Sequence, residues 1–211
     1  AAASAPHLAP GAFWFDLNSC APSSKQRAAA IIEAAGARYV DVAVMSPIYP
    51  KRHKSPLLVG GPHAVAAAAA LSALGMVPRV VEGGVGRASS IKMIRSIMVK
   101  GMEALTAECA LAAVEAGVED EVFASLAASC PGIDWPRQVA YNFERAMVHG
   151  TRRAAEMEEV AKTVRDLGFP PDMAEATVAW QARIGALQAR PDSADYPQIA
   201  RALTERLTGG D

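Results

Sequence analysis

The chain contains few cysteines and almost no net charge, and each scarcity excludes a class of protein. Its three cysteines, Cys20, Cys109 and Cys130, are odd in number and lack C-x-x-C spacing, so neither a disulfide framework nor a zinc site is indicated. We expect no bound metal and, as the simplest compartment for free thiols, a cytoplasmic location. The formal net charge of −1 supplies no field that would attract nucleic acid.

Long apolar runs and aromatic residues are also scarce. The apolar segment 64–74 is far shorter than the roughly 20 residues of a membrane span, so we predict a buried helix and no membrane partner. Short basic clusters at 51–54 and 152–153 have no interleaved aromatic residues, which a single-strand binding groove would need. The chain also lacks a G-x-S-x-G elbow and an H-E-x-x-H pair, which argues against a serine hydrolase or a zinc protease.

Two patterns of secondary structure follow one another along the chain. The first portion alternates strand and helix, which indicates a layered α/β sheet. Its strands are predicted near 12–18, 38–46, 56–61 and 77–82, and its helices near 22–36 and 63–75. From residue 87 no strand pattern appears. Helices are predicted near 87–117, 119–129, 135–149, 151–168, 171–189 and 195–208, separated by glycine and proline breaks that include Gly150. The fold class is therefore α/β plus all-α, with domains 1–85 and 86–211.

A lysine near the start of the first long helix is the leading candidate for chemistry. Segment 86–92 reads G-R-A-S-S-I-K and follows a short strand and a glycine-rich turn. The first turn of a helix has unpaired N–H groups and a positive dipole end, so we expect a lowered pKa for Lys92. Such an amine can transfer a proton or hold an anionic substrate. A solvated surface lysine would have the same spacing.

The same helix carries two further polar residues on the side of Lys92. Ser96 lies one turn away and could share a ligand with it. Glu103 lies about 16 Å from Lys92 along the helix, too far to share that ligand, so we predict a structural or interface role for it.

Segment 86–96 resembles the catalytic-lysine helix of the β-hydroxyacid dehydrogenase and 6-phosphogluconate dehydrogenase superfamily. In particular, it resembles a branch in which a 6-phosphogluconate-type nucleotide domain is joined to its own helical C-terminal domain. The superfamily pattern is G-x-G-x-x-x-K with asparagine four residues later. Gly86 and Lys92 match this pattern, whereas Ala88 replaces the second glycine and Ser96 stands at the asparagine position.

Two earlier segments extend the resemblance. Segment 13–22, F-W-F-D-L-N-S-C-A-P, is similar to the D-x-S-T-x-x-P motif, with Asn18, Ser19 and Pro22 in the corresponding places. Segment 38–47, R-Y-V-D-V-A-V-M-S-P, is similar to the D-A-P-V-S-G-G substrate segment. There Asp41 and Val44 match, whereas positions 45–47, which include Ser46, replace a serine and two glycines.

The resemblance implies an oxidoreductase that transfers a hydride between NAD or NADP and a small hydroxy acid, including sugar-derived or phosphorylated acids. Lys92 would relay the hydroxyl proton. The residues implied to bind or orient the substrate are Asn18, Ser19, Ser46, Ser89 and Ser96, with the two last able to position the lysine instead. The residues implied to border the cofactor are Asn18, Pro22, His149 and Arg153.

The resemblance also implies that residues 1–85 are the C-terminal part of a Rossmann-like NAD(P)-binding domain. No G-x-G-x-x-G fingerprint lies near the N-terminus. We therefore expect either that the first βαβ half precedes Ala1 or that the nucleotide-phosphate site has been lost. Two alternatives to an enzyme stay open: a catalytically inactive cofactor- or ligand-binding module, and an oligomerisation module of the same fold. A homodimer formed through the helical domain is implied in either case.

Overall fold

The computed structural model describes residues 1–209 and confirms a sheet portion followed by a helical portion. The sheet portion contains β1 (Phe13–Asp16), α1 (Pro22–Ala34), β2 (Arg38–Val44), β3 (Pro56–Gly60), α2 (Ala64–Ala73) and β4 (Val77–Val80). The helices that follow are α3 (Arg87–Ala116), α4 (Glu119–Ser129), α5 (Trp135–Asp166), α6 (Asp172–Ala186) and α7 (Tyr196–Thr208).

The four strands form one mixed sheet in the order β1-β2-β3-β4. Strand β1 is parallel to β2, β2 is antiparallel to β3, and β3 is parallel to β4. In the β1–β2 register Asp16 lies opposite Asp41. Two carboxylates therefore lie side by side at the carboxyl end of β1.

Alternation along β2 sends its side chains to two different layers, as the twofold period of a strand requires. Val40 and Val42 pack with α2 on one face. Tyr39 packs with α1 on the other face, and Ala43 packs there against Ala88 at the start of α3. Asp41 belongs to this second set of positions, so it points toward α1 and α3 rather than toward α2.

Helix α5 corrects one predicted boundary. Gly150 was expected to separate two helices, but α5 continues through it from Trp135 to Asp166. A single glycine costs a helix only about 1 kcal/mol relative to alanine. Here the missing side chain is needed, because a Cβ at Gly150 would lie 2.7 Å from the Cα of Gly185 on α6.

The chain divides into two compact units that differ from the predicted domains. Unit 1 comprises residues 1–96 and 159–171, and unit 2 comprises residues 97–158 together with the chain from Asp172 onward. The division falls within α3 and within α5 rather than between residues 85 and 86. The two long helices each belong to both units, which a single cut in the sequence cannot represent.

Unit 2 has its own apolar core. Phe143, Ile184 and Leu203 are each at most 1% exposed and belong to one cluster supplied by α5, α6 and α7. Among residues 1–209, no helix combines the length and the apolar character needed to cross a bilayer. Over that same range, no group of three or more His, Cys, Asp or Glu side chains is arranged to hold a metal ion.

Candidate functional site

Lys92 and Ser19 form a hydrogen-bonded pair in unit 1. The Nζ of Lys92 donates to the Oγ of Ser19 over 2.6 Å. Lys92 is partly buried in the second turn of α3, and Ser19 lies in the loop that follows β1. The structure therefore brings together two residues that come from separate sequence motifs, and it does so through their polar atoms.

The loop that carries Ser19 is fixed at both ends. At its start, the backbone N–H and the side-chain amide of Asn18 donate to Oδ1 of Asp16, over 3.0 and 2.8 Å. At its end, the N–H of Ala21 donates to Oε2 of Glu159 over 2.6 Å. Pro22 then begins α1, as predicted, because proline lacks the N–H that a first turn leaves unpaired.

Asp41 holds the N-terminus of α3. Its Oδ2 accepts the N–H groups of Gly86, over 3.0 Å, and of Ser89, over 3.2 Å. Its Oδ1 accepts the hydroxyl of Ser89 over 2.5 Å. A carboxylate at this place satisfies unpaired donors and complements the helix dipole. The geometry of α3, and with it the starting point of the Lys92 side chain, therefore depends on a residue of β2.

This contact revises the expectation for Ser89. Its side chain is buried, with 2% of the residue exposed, and its hydroxyl proton is given to Asp41. Ser89 therefore fits the positioning role and not direct contact with a substrate.

Lys25 lies against the carboxylates of both Asp16 and Asp41. It is 0% exposed; its Nζ donates to the carbonyl oxygen of Asp16 over 2.6 Å and lies 3.1 Å from Asp16 Oδ1 and 3.7 Å from Asp41 Oδ1. Tyr39 completes the group by donating its hydroxyl to Asp16 Oδ2 over 2.6 Å. We call Asp16, Lys25, Tyr39 and Asp41 the buried cluster.

The pKa values within the buried cluster follow from these contacts. Burial raises the pKa of the Asp16 carboxyl, but the Tyr39 hydroxyl, the Lys25 ammonium and the Asn18 N–H outweigh it, and the net pKa is lowered. The pKa of Tyr39 is raised by burial and by Asp16. Asp16 is thus held ionised and Tyr39 protonated, which is the pairing that the hydrogen bond requires.

Lys25 and the pairing of the two aspartates were not predicted from the sequence. A usable signal was present, because Asp41 interrupts the apolar run of β2 and a buried carboxylate needs a partner. Lys25 carried no comparable signal. A lysine in a predicted helix is expected to be exposed to solvent.

The two remaining serines that were expected to bind substrate have backbone partners. The hydroxyl of Ser46, just after β2, donates to the carbonyl of Pro47 over 3.2 Å. The hydroxyl of Ser96 donates to the carbonyl of Lys92 over 2.9 Å, and Ser96 is 7% exposed. Ser96 thus directs its proton into α3, whereas the asparagine of the superfamily pattern has an amide with two donors.

Gly86 and Ala88 are explained by close packing. Gly86 has φ +100°, and a Cβ there would lie 3.1 Å from Cβ of Pro22, so glycine is required at this turn. Ala88 is 0% exposed and packs against Ala43 and Leu58. The methyl group at the position of the second superfamily glycine is therefore part of the core.

His149 and Arg153, which were expected to border the cofactor, lie in unit 2. Arg153 is buried and forms an ion pair with Glu103, the carboxylate for which we expect a structural or interface role. His149 lines a cavity of about 620 Å³ formed by parts of segments 147–155 and 185–190. Burial lowers the pKa of His149, and Arg145 and Arg152 lower it further.

A family model and several solved structures are similar to this chain. Residues 113–184 match DUF1932, a domain of unknown function. A conserved hypothetical protein from Sinorhizobium meliloti 1021 is 38% identical, with a TM-score of 0.82 over 98% of this chain and 70% of that one. The conserved protein MTH1747 of unknown function, described as structurally similar to 3-hydroxyacid dehydrogenases, is 26% identical, with a TM-score of 0.69 over 82% of this chain and 66% of that one.

A third similar structure is an enzyme. The 3-hydroxyisobutyrate dehydrogenase of Mycobacterium tuberculosis, solved with L-serine, is 13% identical, with a TM-score of 0.70 over 94% of this chain and 72% of that one. No functionally curated protein matches the sequence.

The mixed sheet and the helices that follow it define a protein with the 3-hydroxyacid dehydrogenase fold. Within that class, the chain belongs to the family of the conserved hypothetical protein from Sinorhizobium meliloti 1021. It spans about two thirds of the length of these similar proteins, between 66% and 72%.

Proposed function

We propose that this chain carries the proton-transfer site of a nicotinamide-dependent hydroxyacid dehydrogenase. The observation that carries the proposal is the hydrogen bond between Lys92 Nζ and Ser19 Oγ, over 2.6 Å. It joins an amine and a hydroxyl whose motifs both resemble substrate-contacting motifs of the superfamily. The similar fold of a 3-hydroxyisobutyrate dehydrogenase supports the same reaction class.

Lys92 would act on the hydroxyl proton of the substrate. When the alcohol carbon is oxidised, a neutral amine at Lys92 accepts that proton; in the reverse direction the ammonium returns it to the developing alkoxide. Ser19 holds the amine in place and offers its own hydroxyl proton to a second substrate oxygen. Ser46, at the end of β2, is proposed to approach the acid group.

NAD or NADP would supply the hydride acceptor when bound. The N–H of Gly86 donates to Asp41. Asn18 is exposed, and its Nδ2 is committed to Asp16, which leaves its amide oxygen to accept a hydrogen bond from the nicotinamide carboxamide. We keep Asn18 and Pro22 as the residues that border the cofactor.

The proposal is tested by incubating the complete protein, including any residues that precede Ala1, with NAD⁺ or NADP⁺ and a panel of 3-hydroxy acids, and by following the absorbance of reduced nicotinamide. The panel includes 3-hydroxyisobutyrate, L-serine and phosphorylated sugar acids. We expect turnover of at least one acid with one cofactor. Absence of turnover across the panel, with either cofactor bound, would reject the enzymatic proposal.

One observation favours a second candidate, a ligand-binding module without chemistry. Ser96 stands where the superfamily has asparagine, and its hydroxyl donates a hydrogen bond to the carbonyl of Lys92. A substrate at Lys92 would then lack one donor that the superfamily site supplies. Binding of a nicotinamide cofactor, measured by calorimetry, without turnover of any acid would support this candidate.

We also propose a homodimer formed through the helical portion and a cytoplasmic location. Met98, Met102 and Leu105 follow one another along one side of α3, and each is between 45% and 64% exposed. A row of large apolar side chains of this kind is typical of an interface. The three cysteines are free thiols, which fits a reducing compartment.

A further inference from the structure

We propose that the buried cluster, together with Ser89, positions the Lys92 amine, so that Lys25 and Asp41 are positioning residues for a site they do not line. The inference rests on the proposed function for its catalytic consequence. Its structural part, the placement of the amine on Ser19, can be tested without a substrate.

The cluster joins the two segments that carry the amine and its partner. Asp16 ends β1 and holds the loop through both donors of Asn18, one residue before Ser19. Asp41 holds the start of α3 through Gly86 and Ser89. Lys25 contacts both carboxylates. The Ser19 loop and the start of α3 are therefore fixed to each other through one ammonium group.

Charge balance explains why each member is needed. Asp16 and Asp41 are neighbours in adjacent strands, and two buried carboxylates without a cation would repel each other or take up a proton. The ammonium group of Lys25 contacts both carboxylates and reduces that repulsion. Asp41 accepts three hydrogen bonds at the start of α3, from the N–H groups of Gly86 and Ser89 and from the Ser89 hydroxyl.

Competitive lysine acetylation tests the placement of the amine. The chain has six lysines, which provide internal standards. Lys51 and Lys54 are exposed and report the reagent's intrinsic reactivity. Lys25, at 0% exposed, reports opening of unit 1. The full chain is treated with a trace of an acetylating ester, and the extent of acetylation at each lysine is read by mass spectrometry.

In Ser89→Ala and in Asp41→Asn, we expect acetylation of Lys92 relative to Lys51 to rise about threefold to tenfold, as loss of a hydrogen-bonded placement predicts. Lys25 should stay protected. The matched control is Ser55→Ala, which removes a buried hydroxyl bonded to the Pro47 carbonyl over 3.2 Å in the same unit; it should leave the ratio unchanged.

Two results would overturn the inference. A Lys92 ratio within about twofold of the parent in both variants would show that the amine is placed independently of the cluster. A parallel rise at Lys92 and Lys25 would show that the cluster only stabilises unit 1. If both variants fail to fold, the same ratio is read in Tyr39→Phe, which removes only one hydroxyl from the far end of the cluster.

The catalytic consequence has a separate readout. With an acid that the parent turns over, Ser89→Ala should lower kcat while KM stays within about twofold, because Ser89 is too buried to touch the substrate. A change in KM alone would contradict positioning. If the parent shows no turnover, the proposed function fails, and the acetylation ratios still decide whether the cluster places Lys92.

Discussion

At the scale of single residues, the sequence motifs identified candidate side chains but not the groups that those side chains contact. The Lys92–Ser19 pair joins two motifs that the resemblance had assigned to one site. Ser89 and Arg153 were assigned to the same site by the same resemblance. In the structure the Ser89 hydroxyl donates to Asp41, and the Arg153 guanidinium forms an ion pair with Glu103. Their partners lie far away in the sequence, and no local pattern records which carboxylate a donor will meet.

Removal of one hydrogen bond from Asp16 should lower the stability of unit 1 near neutral pH and make that stability less dependent on pH in the acid range. The folded pKa of Asp16 is lowered, with Tyr39 the largest of the lowering contacts. The stability that this carboxylate contributes is present above its unfolded pKa of about 3.9 and is lost as the pH falls through the folded value. In Tyr39→Phe the folded pKa should rise toward the unfolded one.

We therefore expect Tyr39→Phe to lose about 1.5 to 3 kcal/mol near neutral pH, as for other hydrogen bonds to charged groups. Its stability should then fall less than that of the parent between about pH 5 and about pH 3, which lie about one unit above and below the unfolded pKa. Urea unfolding at a series of pH values measures both. Tyr141→Phe, at a residue 48% exposed, is the control. Parallel stability curves for parent and Tyr39→Phe would refute this account of Asp16.

At the scale of elements, helices and strands were predicted well because their periodicity is local. Apolar alternation identified β2, and spacing of three and four identified α3. The antiparallel pairing of β2 with β3 and the continuity of α5 were not predicted. Both depend on partners outside the segment. In the sequence alone Gly150 indicates a helix break, and only its close contact with Gly185 on α6 explains why a glycine stands inside a continuous helix.

The contact between α5 and α6 should not tolerate a methyl group. A Cβ at Gly150 would lie 2.6 Å from the carbonyl oxygen of Gln181, which is backbone and cannot turn aside. We expect Gly150→Ala to destabilise the protein by about 3 kcal/mol or more, as overpacking at a fixed backbone does. Thermal or urea unfolding measures the loss.

Gly101→Ala is the matched control, because it changes the same residue type inside another long helix. Its nearest neighbour would be the Thr177 hydroxyl at 3.8 Å, an ordinary contact distance. The replacement should stabilise the protein by about 0.5 to 1 kcal/mol. Equal effects of the two substitutions would mean that α5 and α6 are not in close contact at Gly150.

At the scale of the whole molecule, the order of a sheet portion and a helical portion was predictable, and the composition of the two units was not. Residues 159–171 belong to unit 1 although unit 2 precedes them in the chain. Glu159 shows why, since it caps α1 through the N–H of Ala21. A capping contact across more than a hundred residues leaves no periodic signal in the sequence.

The proposed homodimer predicts a change in mass on disruption of the apolar row of α3. Met98 and Leu105 are 64% and 63% exposed, so their replacement should not disturb the core. We expect Met98→Gln with Leu105→Gln to shift sedimentation from dimer to monomer without lowering the unfolding temperature of the monomer. Val65→Gln, at a residue 76% exposed on α2, should leave the mass unchanged. A monomeric parent would contradict the proposal.

The most direct test of the central claim is the turnover of a hydroxy acid by Lys92→Met in the full chain, measured against the parent with the same cofactor. If the amine relays the hydroxyl proton, kcat should fall by about 10²- to 10⁴-fold, and Lys92→Arg, which keeps the charge but not a transferable proton, should fall comparably. Turnover of Lys92→Met within about tenfold of the parent would contradict the account.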